Sequence, residues 1–279
     1  MRTIESVAKM ISAAAKIRKD GERIAYVPTM GALHEGHLTL LDEAARRGDK
    51  VVLSVFVNSL QFGPGEDYQR YPRTLEEDVK LAKSRGADIV FAPTSEEMYS
   101  LTPMVTVNPG VLAKEWEGSA RPNHFQGVLT VVAKLFHIVQ PAVAVFGQKD
   151  LQQAAIVRAM VRDLNFPVEI VSCPIVREPD GLAMSSRNRF LAPKEREVAL
   201  MLSKALFALR DAFTKGERRA SALEAIGWRM LERVQGLTPR YLAVVNANTF
   251  LRVNLVSPGD AAIGAIRVGE TRLIDNIIF

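Results

Sequence analysis

Short apolar runs alternate with amphipathic stretches through the first two thirds of this chain, and that alternation constrains its fold more than any other feature. Residues 3–19 carry apolar side chains at helical spacing (Ile4, Val7, Ala8, Ile11, Ala14, Ala15, Ile17) and stop before Gly21, which predicts an amphipathic helix. Strand-like runs follow at Arg23–Val27, Val51–Val57, Ile89–Ala92, Val105–Val107, Ala142–Phe146 and Val168–Val176. Val51–Val57 is nearly all apolar, as expected of a parallel strand covered on both faces. Between the runs lie helical stretches: one ending near Gly48, one opened by the capping-box pattern Thr74-Leu-Glu-Glu77 and running to Gly86, one over Gly127–Val139, and one over Leu151–Leu164. Such a βα alternation predicts an α/β fold, a doubly wound, mostly parallel sheet whose ligands lie at the carboxyl ends of the strands. Polar or glycine-containing segments follow four of the runs: Pro28–His37, Asn58–Gln61, Gly147–Asp150 and Arg177–Asn188.

After about residue 180 the order changes to helices first and strands afterwards. Helices are expected from Pro193 to Lys215 and over Ala220–Gln235, and strands at Tyr241–Val245, Ala261–Val268 and Arg272–Phe279. This predicts a small α+β domain over 179–279, joined to the 1–178 domain at the turn cluster Glu178-Pro-Asp-Gly181. A single cysteine, Cys173, excludes an internal disulfide and fits a reducing cytoplasm; its apolar neighbours predict that it is buried filler. No apolar signal core or membrane-length run is present, so no membrane partner is expected. The net charge of +5 is spread along the chain rather than gathered in a basic stripe with interleaved aromatics. Nucleic acid is therefore not expected as a main partner, whereas anionic small substrates suit the charge.

Tyr26–His37 carries the clearest chemistry: an apolar strand, a glycine turn, and a helix start bearing His34 and His37. Imidazoles at i and i+3 share one face of the first turn, beside unpaired backbone N–H groups and the positive end of the helix dipole. That combination suits a triphosphate under nucleophilic attack; a surface helix start is the alternative. Zinc is disfavoured, because the protease spacing is i and i+4 and the four histidines (34, 37, 124, 137) with one cysteine leave a third ligand hard to find. In Phe146-Gly-Gln-Lys149-Asp150 the glycine permits close approach to phosphate, Lys149 adds a mobile charge and Asp150 can cap the following helix. Gly181–Asn188 is a polar loop whose Arg187 could meet charge on a leaving group. These two segments have plainer alternatives, a surface turn and a polar linker. The His34–His37 and Gly181–Asn188 segments resemble, in order, the two signature loops of class I aminoacyl-tRNA synthetases, which points to attack of a carboxylate on the α-phosphorus of ATP.

The segments Thr29–Leu38, Phe56-Val-Asn58 with Gln61-Phe62, Tyr71–Thr74, Val131–Phe136, Phe146–Asp150 with Gln152-Gln153, Met184–Asn188 and Thr271–Asn276 together resemble pantothenate synthetases, the pantoate–β-alanine ligase family, over essentially the whole chain. The resemblance implies a cytoplasmic homodimer of the nucleotidyltransferase superfamily, with a Rossmann-like N-terminal domain and a smaller C-terminal lid. It implies an enzyme that forms pantoyl adenylate from pantoate and ATP with Mg²⁺, then lets β-alanine displace AMP. On the matched positions it implies catalysis by His34, His37, Lys149 and Arg187, and ATP binding by Met30, Gly31, Ala32, Leu33, His34, Glu35, Gly36 and His37. Gly147, Gln148, Lys149, Asp150, Val176, Met184, Ser185, Ser186 and Arg187 would complete the nucleotide site. Gln61 and Gln153 would hold pantoate, since an amide both donates to a carboxylate and accepts from a hydroxyl. Arg121 and His124 match a segment near the substrate pocket, while His137 reads as a packing residue. Another nucleotidyltransferase of the superfamily, or an ATP-binding protein without chemistry, is the competing expectation. Ser59, Asn123, Gln148 and Asn246 depart from the usual family residues; a serine at 59, where proline is usual, holds the Gln61 loop less firmly. Asp78 and Glu77 are acidic candidates near the site with helix-capping explanations, and the Mg²⁺ ligands stay open.

Overall fold

A computed structural model describes residues 1–99, 101 and 103–279. The chain forms two compact units, Met1–Gln148 with Ile156–Pro174, and Lys149–Ala155 with Ile175–Phe279.

The first unit is built on a six-stranded sheet in the order β1-β4-β3-β2-β5-β6, with all the pairs parallel. In chain order its elements are β1 (Arg2–Ile4), α1 (Val7–Lys19), β2 (Ile24–Thr29), α2 (Glu35–Arg47), β3 (Lys50–Val55), α3 (Leu75–Ser84), β4 (Ile89–Phe91), α4 (Ser95–Met98), α5 (Glu117–Ala120), α6 (His124–Val139), β5 (Val143–Gly147), α7 (Leu151–Asp163) and β6 (Glu169–Cys173). Strand period two sends alternate side chains to opposite faces. Ile24, Tyr26, Val52, Phe91, Ala144 and Phe146 pack with residues of α1, α6 and α7, whereas Ala25, Val27, Val51, Leu53, Val90 and Val145 pack with α2 and Ala82 of α3. The two-sided covering explains why these strands read as continuous apolar runs.

From β2 the chain moves outward through β3 and β4 on one side, and through β5 and β6 on the other. The order therefore reverses between β2 and β5, the switch point where an open parallel sheet leaves a crevice at its carboxyl edge. Pairing between β2 and β5 covers only Ala25↔Val143 and Tyr26↔Ala144, so the two strands part before Pro28 and Thr29.

Several boundaries differ from the sequence expectations. Residues 2–4 form an edge strand against β4 instead of the first helical turn, and Ser6 caps α1 by accepting from the Lys9 amide at 3.5 Å. Val105–Val107 is irregular rather than a strand, because the Val107 N–H is taken by Thr130 Oγ1 of α6 at 3.1 Å. Thr74 precedes α3 but does not act as a capping box: its hydroxyl donates to Asp78 Oδ2 at 3.3 Å. α6 starts at His124, a turn earlier than expected, and β6 ends at Cys173, which is buried as expected.

In the second unit, α8 (Pro193–Thr214) and α9 (Ala220–Leu231) pack on the antiparallel sheet β7 (Leu237–Asn246), β8 (Asp260–Val268) and β9 (Thr271–Ile278). The α+β order foreseen from the sequence is present, with α9 ending at Leu231 rather than Gln235.

Candidate functional site

β2 leaves the sheet at Thr29, whose hydroxyl donates to Ser54 O (2.7 Å) and accepts from the Gly31 amide (3.2 Å). The turn then passes through left-handed backbone at Gly31 (φ +83°) and Ala32 (φ +52°). A Cβ on Gly31 would come within 2.9 Å of both Asp78 Oδ2 and Val55 Cγ1, so conformation and space both demand glycine. This backbone turns two successive amides onto one carboxylate: Ala32 N–H reaches Asp78 Oδ2 at 3.0 Å and Leu33 N–H reaches Oδ1 at 2.7 Å. Asp78 is 1% exposed, and it acts as the anchor of the glycine turn.

The turn delivers His34 as the extended N-cap of α2 and His37 as its third residue, with ring centroids 4.0 Å apart. The His34 N–H donates to His37 Nδ1 at 3.3 Å. Because Nδ1 accepts, the proton of neutral His37 sits on Nε2. The positive end of α2 and an Nε2–H donor thus lie together. Glu35 turns its carboxylate to Arg85, at 2.7 Å.

Asn58–Gln61 follows β3 at the same edge of the sheet. Asn58 Nδ2 donates to Gln61 Oε1 and to Gly127 O, both at 3.1 Å, and Tyr99 OH donates to Asn58 Oδ1 at 2.9 Å. With its oxygen so occupied, Gln61 presents Nε2 on the side of Met30, 3.1 Å from the thioether sulfur. Gly127 makes the contact feasible: a Cβ there would lie 2.2 Å from Leu60 O. Arg121 forks onto Glu66, and His124 lies between Arg121 Nη1 (3.0 Å) and Gln61 O (2.8 Å). Burial, reinforced by Arg121, pushes the His124 pKa down to about 4, so the ring is neutral. His137 faces outward on α6 with its ring 5.4 Å from Phe166, a packing position as expected. Gly147 and Gln148 stand at the end of β5, on the other side of the switch point from the glycine turn.

The second unit holds the remaining expected residues. Lys149 Nζ lies 3.7 Å from Asp150 Oδ1, and Gln153 sits in the first turn of α7. Val176 accepts the Met184 N–H at 3.0 Å, closing a loop whose neighbouring rungs are Arg177 and Ala183. Ser185 caps a short 3-10 turn over Ser186–Phe190 by accepting the Arg187 N–H at 3.3 Å. The loop is tied down by residues to which the sequence reading gave no role. Arg177 forks onto Asp275 of β9 (2.7 and 2.9 Å), Asn188 Nδ2 donates to Glu178 (2.7 Å) and Ala183 O (3.0 Å), and Asn276 Nδ2 donates to the Lys149 carbonyl (3.0 Å). The Asp275-Asn276 pair in the matched segment Thr271–Asn276 was the signal that could have found them.

Among the described residues, no cluster of three or more His, Cys, Asp or Glu side chains could hold a metal ion. Both Asp78 oxygens are taken by amides, so the open question about that residue resolves toward structure. No helix among the described residues is long and apolar enough to cross a membrane.

Comparison with known proteins identifies the family. A curated relative named pantothenate synthetase 1, from Bradyrhizobium diazoefficiens, is 50% identical over all of this chain and 98% of its own length. The crystal structure of pantothenate synthetase from Thermus thermophilus superposes with a TM-score of 0.94 at 48% identity, covering 100% of this chain and 99% of that one. A pantoate–β-alanine ligase from Francisella tularensis, complexed with β,γ-ATP and β-alanine, superposes with a TM-score of 0.81 at 30% identity, covering 100% and 97%. Since the model of the pantoate–β-alanine ligase family matches residues 2–278, the chain belongs to that family of ligases.

Proposed function

We propose that this chain condenses pantoate with β-alanine at the expense of ATP, through a bound pantoyl adenylate. The observation that carries the reading is the pair His34 and His37 on the first turn of α2, ring centroids 4.0 Å apart, at the end of the helix where its dipole is positive. A pantoate carboxylate oxygen attacks the α-phosphorus, the bond to the β-phosphate oxygen breaks, and pyrophosphate leaves. The β-alanine amine then attacks the acyl carbon and AMP departs with the electron pair of the broken C–O bond. A carboxylate is a poor electrophile, and the mixed anhydride divides one hard step into two easier ones.

In this reading Met30 through His37, Gly147 through Asp150, Val176 and Met184 through Arg187 bind ATP. His34, His37, Lys149 and Arg187 stabilise the charge that develops on the phosphates. Gln61 and Gln153 hold pantoate. Mg²⁺ enters with the triphosphate. The relative complexed with ATP and β-alanine supports the substrate assignment. Assembly as a homodimer is part of the proposal, supported by the exposed apolar side chains Leu101, Met104, Val105 and Val111. The buried, unpaired Cys173 supports a reducing cytoplasmic location.

Pyrophosphate–ATP exchange tests the order of steps. Exchange should require pantoate but not β-alanine, and heavy oxygen placed in the pantoate carboxylate should appear in AMP. Exchange that needs β-alanine, with label absent from AMP, would overturn the adenylate route. His37→Ala should fold normally and form adenylate about 10²–10³ times more slowly, the usual effect of losing one transition-state donor.

A further inference from the structure

Gln61 is held at both ends. Its side-chain oxygen is spent on Asn58, which fixes the direction of its N–H groups, and its main-chain carbonyl receives His124 Nδ1 at 2.8 Å. The roles along this contact are set by chemistry. A guanidinium has donors only, so the 3.0 Å contact between Arg121 Nη1 and His124 Nε2 makes Nε2 the acceptor. The neutral ring then carries its proton on Nδ1 and donates it to Gln61 O. Arg121 is itself fixed by a fork onto Glu66, with Nε–Oε1 at 2.8 Å and Nη2–Oε2 at 2.6 Å, and its Nη2 also reaches Gln61 O at 3.4 Å. Donation thus runs outward from Arg121, to Glu66 on one side and through His124 to Gln61 O on the other. Both ring nitrogens of the buried His124 are occupied, so the side chain keeps no polar atom for a substrate.

We propose that Glu66, Arg121 and His124 are positioning residues that act through Gln61, setting pantoate affinity without touching pantoate. The proposal rests on the reading that Gln61 binds pantoate. Burial of His124 and the facing Arg121 disfavour an imidazolium, which would place an Nε2 proton against the guanidinium. Glu117 and Glu66, the acidic groups near the ring, oppose that effect but do not overcome it. The relay is therefore in its donating form at neutral pH.

The first test uses the whole chain without substitution. Nitrogen-15 histidine spectra at pH 7 should show His124, assigned by its absence in His124→Asn, as the Nδ1–H tautomer. An Nε2–H tautomer or an imidazolium would overturn the proposal. The second test is kinetic. His124→Phe should raise the pantoate KM roughly three- to tenfold, the range expected for one lost hydrogen bond, with the ATP KM and kcat within about twofold. His124→Asn, which keeps an N–H near the Nδ1 position, should recover most of the loss, a rescue that a merely space-filling role would not give. Arg121→Met, at a more exposed position, should shift the pantoate KM in the same direction, and it serves if His124→Phe does not fold. Adding His124→Phe to Gln61→Ala should cause no further loss. Additive losses, or an unchanged pantoate KM in both His124→Phe and Arg121→Met while Gln61→Ala raises it, would overturn the relay. An unchanged pantoate KM in Gln61→Ala would instead remove the reading of Gln61, and the tautomer would still report on the relay.

Discussion

The loops of the first unit are gripped by their main chain, whereas the loop of the second is held by guanidinium groups. Asp78 takes two amides of the glycine turn, and His124 takes the carbonyl of Gln61. In the 176–190 loop, Arg177 forks onto Asp275, and Arg196 pairs with Glu178 at 2.6 Å and Asp180 at 2.7 Å. A main-chain clamp fixes where an amide or carbonyl stands and is little affected by salt. The Arg196 pairs are partly exposed, so they are screened by salt and lose entropy on holding long side chains in place, whereas the Arg177–Asp275 fork is mostly buried. The turn that stations His34 and His37 accordingly uses the stiffer device.

The largest effect expected from this contrast is at Asp275, which is 5% exposed. Asp275→Ala would leave Arg177 without its fork, and breaking a buried pair from one side costs about 3–5 kcal/mol. Urea unfolding followed by Trp228 fluorescence, in a chain carrying Trp116→Phe, measures it. A loss below about 1 kcal/mol would mean that the second unit does not depend on this pair.

His124 sharpens the comparison through pH. Its pKa in the fold is about 4 against 6.5 for an ordinary imidazole, so on acidification the unfolded chain takes up the proton first. The stability that neutral His124 contributes is fully present above about pH 6.5 and is lost as the pH falls toward 4, amounting to about 3 kcal/mol across that window. Arg121, Glu66 and Glu117 are the charged groups acting on the ring. Unfolding free energies at pH 7 and pH 4.5 should therefore differ less in His124→Asn than in the unsubstituted chain; equal differences would contradict a buried neutral ring.

How much of this was legible in the sequence depended on range. Period and composition are local signals, so the parallel sheet, the glycine turn before His34 and the change to an α+β pattern near 180 could all be read directly. β1 could not, because Thr3 and Ile4 fit a helical stripe as well as a strand and their pairing partner lies at Val90 and Phe91. Val105–Val107 looked like a strand for the opposite reason: its β-branched residues fit one, yet a threonine on α6 meets the Val107 N–H. The anchors were the least visible part of the site. Asp78 is 45 and 46 residues from the amides it binds, and Arg177 is 98 from Asp275. Spacing within one helix or turn gives no hint of such contacts.

Asp78→Asn should have a smaller effect than Asp275→Ala, because one carbonyl acceptor survives. The other oxygen becomes an NH₂ facing an amide, and an unsatisfied buried donor costs about 1–3 kcal/mol. Since the amides of Ala32 and Leu33 lead directly into His34, pyrophosphate–ATP exchange should fall in this variant while circular dichroism stays unchanged. Normal exchange would mean that the turn keeps its shape without the carboxylate, and the main-chain clamp would lose its significance.

The smallest expected effect lies in the half-exposed cluster of the second unit. Arg196 holds Glu178 and Asp180 with all three side chains roughly a quarter to a third exposed, 33%, 25% and 34%. Pairs of this kind are worth about 0–1 kcal/mol in typical cases, and their contribution shrinks as the Debye length contracts from about 10 Å at 0.1 M to about 3 Å at 1 M ionic strength. Arg196→Ala should thus cost no more than about 1 kcal/mol at low salt and close to nothing at 1 M sodium chloride. By the same physics, the Asp78→Asn cost should persist at 1 M salt, because the amide that loses its acceptor has no counter-ion to be screened from. Measuring both variants at the two salt concentrations compares the holding devices directly. If Arg196→Ala kept its full cost at high salt while Asp78→Asn lost its own, the contrast between a main-chain clamp and a screened ion pair would be reversed.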